Sequence, residues 1–322
     1  MKPLYLSVDL GGTSLRIATV DGEGKILKTK SFPSTEVRAP QDLIKRLIQE
    51  CQSLAGEIKN GSLQGIALGI PGLVEGAKGV VFQSPHFPLW KEIPLKKELE
   101  KILPFPIFMD NDANQAARGE AWRGAGKDWQ DFVMLTLGTG IGGGIFASGG
   151  IFHGPTGFAG EVGHIIIDRN GFTGALGSQG TLESICSQSG LQLQVKALQK
   201  KGAVMSEEIL KLNADSEKLP ELLLELAQKG NKTAKEIWDD FGKALACGIA
   251  SLVHTLGSFH FIIGGGLAGA WDQFYPACER EISKRLYTST LDRVKIVCAQ
   301  LGNEAGLMGG VPLINEGLVL HK

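Results

Sequence analysis

Four short apolar runs with strand character each end on glycine. LYLSVDL precedes Gly11 and Gly12, GIALGIPG carries Gly69 and Gly72, FVMLTL precedes the stretch Gly138 to Gly144, and FHFII precedes Gly264, Gly265 and Gly266. β-branched and aromatic residues followed by glycine predict strands that close in tight turns. Between them lie helical periods. In residues 40–61 the apolar positions Leu43, Leu47, Cys51, Leu54 and Ile58 recur at i+3 or i+4, with Pro40 at the start and Gly61 past the end. ANQAARGEAWRGAG is compatible with a helix starting near Ala113, the region from about 206 to 257 reads as predominantly helical, and WDQFYPACEREISKRL predicts another helix, with Pro276 in its first turns or at a kink. Strands alternating with helices predict an α/β fold. Residues 4–20 and 132–147 both read as strand, glycine turn with threonine, then returning strand, which suggests a duplicated unit with ligand held between the copies.

Composition narrows the function classes. A chain of 322 residues suggests two domains. With 33 Lys+Arg against 34 Asp+Glu and no basic block, a nucleic-acid or acidic-membrane partner has no electrostatic footprint. The five cysteines are far apart and include no C-x-x-C pair, so the sequence predicts a reducing, cytoplasmic setting and no cysteine-rich zinc site. MKPLYLSVDLGGT runs straight into a strand, and no signal peptide or membrane span is expected. Glycine is the outlier: 44 residues, about twice the usual ~7%, point to many specialised turns.

Those turns carry candidate chemistry. Neither the P-loop pattern nor G-x-G-x-x-G follows the first strand. DLGGT instead turns into LRIATV, a hairpin whose Gly11, Gly12 and Thr13 amides can face an anion. Asp9 beside them is a candidate Mg²⁺ ligand, directly or through water. Thr139 and Gly140 in the second hairpin could grip a further phosphate. In PIFMDNDANQAA, a carboxylate at the strand end can take a proton from a substrate hydroxyl while Asn111 holds neighbouring hydroxyls. Asp110 and Asp112 both qualify, and Asp112 also suits a helix N-cap. Further on, Glu161, His164 and Glu183 lie in glycine-rich surroundings that suit sugar hydroxyls, although a histidine beside an apolar run also suits a core.

Together these segments resemble the ROK family of sugar kinases and sugar-responsive repressors. The matching stretches are DLGGTSLRIATVD, GIALGIPGLV, SPHFPLWKEIPLKKELE, DNDANQAARGEAWRGAG, LTLGTGIGGGIFASGGIFHG, GFAGEVGHI and IIGGGL, from residue 6 to about 310. The resemblance implies an actin-like ATPase (ribonuclease H-like) fold, two α/β domains around a central cleft. The expected division is 1–112, completed by a C-terminal helix at about 305–322, and 113–304 with a helical insertion. Asp112 looks like the family's catalytic base. Asn111, Glu161, His164 and Glu183 look like sugar ligands, with Gly72 in the loop that approaches the sugar. Gly11, Gly12, Thr13, Thr139 and Gly140 look like phosphate-loop positions, and Gly264, Gly265 and Gly266 line the nucleotide side.

The implied reaction is ATP- and Mg²⁺-dependent phosphorylation of a hexose 6-hydroxyl, with glucose first and fructose, mannose or an N-acetylhexosamine as alternatives. Polyphosphate as donor stays open. A sugar-sensing regulator is the other class, although no helix-turn-helix module is expected before the first strand. The family also implies a homodimer. Two departures stand out. Gly174, Leu176 and Thr181 occupy the positions of three zinc-binding cysteines found in many members, so no structural zinc is expected and Leu176 is expected to help hold that loop by packing. His86 stands where related kinases often have asparagine.

Overall fold

The structure, a computed structural model, describes residues 2–85, 87–174, 176–201 and 207–320. His86 lies outside the described residues. Thirteen strands are assigned among them: β1 Pro3–Leu10, β2 Ser14–Asp21, β3 Ile26–Pro33, β4 Ser62–Ile70, β5 Leu73–Glu75, β6 Val80–Gln83, β7 Lys91–Ile93, β8 Ile107–Asn111, β9 Phe132–Leu137, β10 Ile141–Ala147, β11 Gly150–Ile151, β12 His260–Gly264 and β13 Lys295–Cys298. The chain divides into two compact units, one of Met1–Met134, Gly144–Gly160 and Ala299–Lys322, the other of Leu135–Gly143 and Glu161–Cys298.

In the first unit the sheet order is β3-β2-β1-β4-β8. The first three strands form an antiparallel meander, and β1, β4 and β8 are parallel. Alternation along β1 sorts its side chains between two faces. Leu6, Val8 and Leu10 enter a core with Leu43, Leu47, Cys51 and Leu54 of the helix Pro40–Gly56. Tyr5 enters a second core with Leu307, Val311 and Ile314 of the helix Ala305–Leu320. Both faces are therefore covered, which is why these strands read as near-continuous apolar runs. Emptying one such position, as in Leu47→Ala, would cost about 2–5 kcal/mol. A small sheet, β5-β6-β7, is inserted between β4 and β8. The Phe87 and Trp90 rings behind it stack at 4.3 Å, and Trp90 Nε1 donates to the Arg38 carbonyl at 2.9 Å.

The second sheet has the order β11-β10-β9-β12-β13, with β10 and β11 antiparallel and β12 and β13 parallel. In each sheet the strands, numbered by sequence, lie in the order 3-2-1-4-5. The likeness of the two glycine hairpins thus extends to whole sheets. The helix Lys232–Leu256 carries Trp238 and Phe241 into a core with Phe274. Its ends are explicit: Asn231 Oδ1 accepts from Ala234 N, and Gly257 closes it at φ 67°. Pro276 sits inside the helix Trp271–Ile282.

Three features differ from the sequence reading. The helix Gln188–Lys201 had no clear signal because Gly190 interrupts it, and Gly190 is needed there: a Cβ would lie 2.6 Å from the Ile185 backbone. β3 has no clear apolar pattern because only three of its residues, Ile26, Lys30 and Phe32, turn even partly inward. The helix after β8 begins at Asp112, next to the expected Ala113, but it is Asn111 rather than Asp112 that caps it.

Candidate active site

In the first unit, register aligns the polar residues before any side chain is considered. Across the sheet Arg16 pairs with Asp9, Asp9 with Gly69, and Gly69 with Asp110. This rung lies at the carboxyl ends of β1, β4 and β8, where parallel α/β sheets bind ligands. The Asp9 carboxylate forms an ion pair with Arg16 and sits beneath Gly306, where a Cβ would come within 2.7 Å of it. Burial pushes the Asp9 carboxyl above its ordinary range, against the pull of Arg16. In the adjoining turn Gly11 N donates to Ser14 O at 2.8 Å. Ser34 donates from its hydroxyl to Gly12 O at 2.6 Å and from its amide to Thr13 O at 3.0 Å. The carbonyls of the loop are tied down while Gly12 and Thr13 stay exposed.

The junction between β8 and the helix Asp112–Arg123 separates the two rival carboxylates. Asp110 is 2% exposed and accepts from Arg118, His153, Asn114 and the Asn111 amide. Burial alone would raise its pKa, but the Arg118 charge and the His153 and Asn114 hydrogen bonds outweigh burial and hold it well below the usual carboxylate range. Every acceptor direction of Asp110 is occupied, so it is a structural anion. Asn111 Oδ1 accepts from Ala113 N at 2.9 Å and Asn114 N at 3.3 Å, and Nδ2 donates to Gly72 O at 3.0 Å. One Nδ2 hydrogen remains for a ligand. Asp112, the first helical residue, is part-exposed, and its Oδ1 accepts from Ala113 N at 3.0 Å. A helix N-terminus favours such a charge. Gly72 has φ 105°, and a Cβ there would lie 2.2 Å from Gln83 O.

In the second unit, Glu161 precedes the short 3-10 turn Val162–His164, and its Oε2 lies 3.7 Å from His164 Nε2. Glu183 Oε2 accepts from Ile141 N at 2.8 Å across the bare face of Gly140, where a Cβ would be 2.3 Å from that oxygen. Burial pushes the Glu161 carboxyl up; His164 lowers it and Glu183 raises it, so the three side chains act on one another. The loop before β10 is fixed by Gln188 N to Gly138 O at 2.9 Å and Ser189 Oγ to Thr139 O at 2.5 Å. Gly264 ends β12, and Gly265, at φ 83°, passes the Leu137 backbone so closely that a Cβ would fall 2.3 Å from its carbonyl oxygen. Gly11, Gly138 and Gly266 have ordinary φ and room for a side chain, so the fold alone does not require glycine there.

The sequence profile of the ROK family matches residues 5–316. The glucokinase of Thermotoga maritima is 32% identical over 317 residues, 98% of each chain. The chain belongs to the ROK family. The xylose repressor of Caldicellulosiruptor bescii is 27% identical, over 96% of this chain and 77% of the repressor. The structure of a ROK family glucokinase from Streptomyces griseus, in complex with glucose and AMPPNP, superposes with a TM-score of 0.79 at 28% identity, covering 98% of this chain and 100% of that one. The fold is the actin-like ATPase fold that ROK sugar kinases share.

One ROK-based expectation fails. Leu176 is 50% exposed, so it does not hold the loop where other members have zinc-binding cysteines. A small backbone ladder holds it instead: Ile167 N to Gly180 O and Gly180 N to Phe172 O, both 2.8 Å, and Gly174 N to Ser178 O at 2.9 Å. Thr181, buried at a cysteine position, accepts from Ser184 N at 3.2 Å through its hydroxyl and from Ser184 Oγ at 2.6 Å through its carbonyl. Among the described residues, no group of three His, Cys, Asp or Glu side chains is arranged to hold a metal, and no helix is long and apolar enough to cross a membrane. The sequence reading also passed over Arg16, Arg118 and His153. Arg16 could have been found, since a two-residue turn places it opposite Asp9; His153 has no local signal.

Proposed function

We propose that this chain, a sugar kinase, transfers the terminal phosphoryl group of ATP to the 6-hydroxyl of a hexose, glucose before others, with Asp112 as general base. One observation carries the assignment of the base. Of two carboxylates two residues apart, Asp110 is consumed by four donors, while Asp112 stands part-exposed at the first position of a helix. A general base must reach the proton it removes, and a buried carboxylate held below its usual pKa by an arginine is a poor acceptor.

The remaining roles follow from chemistry. Glu161 and Glu183 accept from sugar hydroxyls, His164 donates or accepts, and the spare Nδ2 hydrogen of Asn111 donates. Gly12, Thr13 and Thr139 meet phosphate through amides and hydroxyls, and Gly11 and Gly266 are glycine because the nucleotide approaches there. Asp9 fits Mg²⁺ as a partner reached through water. One of its oxygens is engaged by Arg16, and an ion that arrives on phosphates keeps several of its waters and needs only one or two carboxylates. When bound, Mg²⁺ neutralises charge on the transferring phosphoryl group. The five free thiols suit a cytoplasmic enzyme.

The test is ADP formation across a panel of hexoses and N-acetylhexosamines, with ATP and polyphosphate as separate donors. Glucose with ATP is expected to give the highest kcat/KM. Sugar binding without turnover would instead favour the regulator reading, which the repressor relatives keep in view.

A further inference from the structure

We propose that Asp110, Arg118 and His153 form a positioning unit that fixes Asn111 and Asp112 for phosphoryl transfer, a role that rests on the kinase reading above. Asp110 Oδ1 accepts from Asn111 N at 2.7 Å and Asn114 Nδ2 at 2.9 Å, and Oδ2 accepts from Arg118 Nη1 at 2.5 Å and His153 Nε2 at 2.7 Å. Residues 110, 114 and 118 follow at intervals of four, so Asn114 and Arg118 stack along one face of the helix above Asp110. The carboxylate therefore grips the helix through its first two turns. On the other side, Asn111 caps the same helix and holds the Gly72 carbonyl. Asp112 lies between these two anchors, and its backbone has little freedom left.

The anchors are themselves fixed. Arg118 Nε donates to Glu316 of the helix Ala305–Leu320 at 2.9 Å. The His153 carbonyl accepts from Ala159 N at 3.0 Å, which closes a turn behind the imidazole. An ionised Asp110 can only accept, so His153 Nε2 carries hydrogen in this pair. The arrangement is a charge-assisted network in which each Asp110 oxygen accepts two hydrogen bonds, and such a buried cluster rigidifies its surroundings; the buried Asn114 Oδ1 is left without a partner among the described residues. A displacement of about 1 Å at a reacting group can cost about 10² in rate, which makes such rigidity functional.

Removing Arg118 would strand a buried charge and risk the fold. His153, whose side chain is 40% exposed, offers a gentler way in. The variants His153→Ala and His153→Gln are compared with wild type for kcat and KM on glucose and ATP, thermal midpoint, and amide exchange of residues 107–118. For His153→Ala we expect kcat/KM for glucose to fall roughly tenfold, with KM for ATP within about twofold, and faster exchange at Asn111 to Asn114. Gln, which restores a donor, is expected to return kcat/KM to within about threefold of wild type. Unchanged exchange at Asn111 to Asn114 would overturn the proposal whatever the activity. So would unchanged kcat/KM, or a loss equal in Ala and Gln that follows the midpoint. Asp112→Asn, assayed alongside, separates the two ideas: normal turnover there refutes the general base, while the exchange result judges the positioning unit independently.

Discussion

Gly309→Ala tests whether the helix that presents Asp112 depends on backbone contact with the helix Ala305–Leu320. A Cβ at Gly309 would lie 1.7 Å from Gln115 O, and one at Gly119 would lie 2.2 Å from Ala305 O, so the two helices touch through bare backbone. Real Cβ atoms are not found closer than 3.0 Å, so the alanine forces a local separation of about 1.3 Å. Gln115 sits at that crossing and donates through Nε2 to Val8 O at 2.9 Å and Gly306 O at 2.7 Å. Losing both bonds costs about 2 kcal/mol at roughly 1 kcal/mol each, and overpacking adds about 1–3 kcal/mol. The total of about 3–5 kcal/mol, at roughly 2 °C per kcal/mol for a chain of this size, lowers the midpoint by about 6–10 °C. Because Asp112 is the first residue of the displaced helix, kcat should fall as well. Calorimetry with a parallel kinase assay makes the measurement. Gly56→Ala is the control, since nothing lies within 4 Å of its Cβ position; it should be neutral or stabilising by up to about 1 kcal/mol. A Gly309→Ala midpoint within about 2 °C of wild type would refute the crossing argument.

Gly266→Ala should leave the midpoint unchanged, because the protein has room for the methyl group, yet raise KM for ATP several-fold; an unchanged KM would remove Gly266 from the nucleotide side. Asp110→Asn probes pH dependence. The folded-state pKa of Asp110 is depressed, so its carboxylate contributes stability above the unfolded value of about 3.9 and loses that contribution as pH falls through and below it. Urea unfolding should show a deficit of about 3–5 kcal/mol for the variant at pH 7 that shrinks below about pH 4, whereas a constant deficit would show that the ionised form is not what stabilises.

The parts of this fold legible in the sequence were those in which a local pattern meets a strong physical demand. The strand–glycine turns at Gly11, Gly72 and Gly265 were readable because apolar runs buried on both faces must end abruptly where the chain turns. The helix Pro40–Gly56 was readable because one stripe faces a core. The helix Gln188–Lys201 was not, because its glycine answers to Ile185, which belongs to a different element. The choice between Asp110 and Asp112 was equally closed to local reasoning. It depends on Arg118 two turns along the helix and on His153 forty-three residues away, partners that only the folded chain brings together. The loop at 171–182 shows the opposite failure. The absent cysteines are visible in the sequence, but Leu176, the apolar residue at one of their positions, is exposed, and backbone hydrogen bonds with a buried threonine hold the loop instead.

The central claim is that Asp112 removes the proton from a sugar hydroxyl. The most direct measurement is turnover of Asp112→Asn with ATP and glucose, beside calorimetric binding of glucose to the same variant. The account predicts a fall in kcat of about 10²–10⁴ with glucose binding retained; turnover within tenfold of wild type would contradict it.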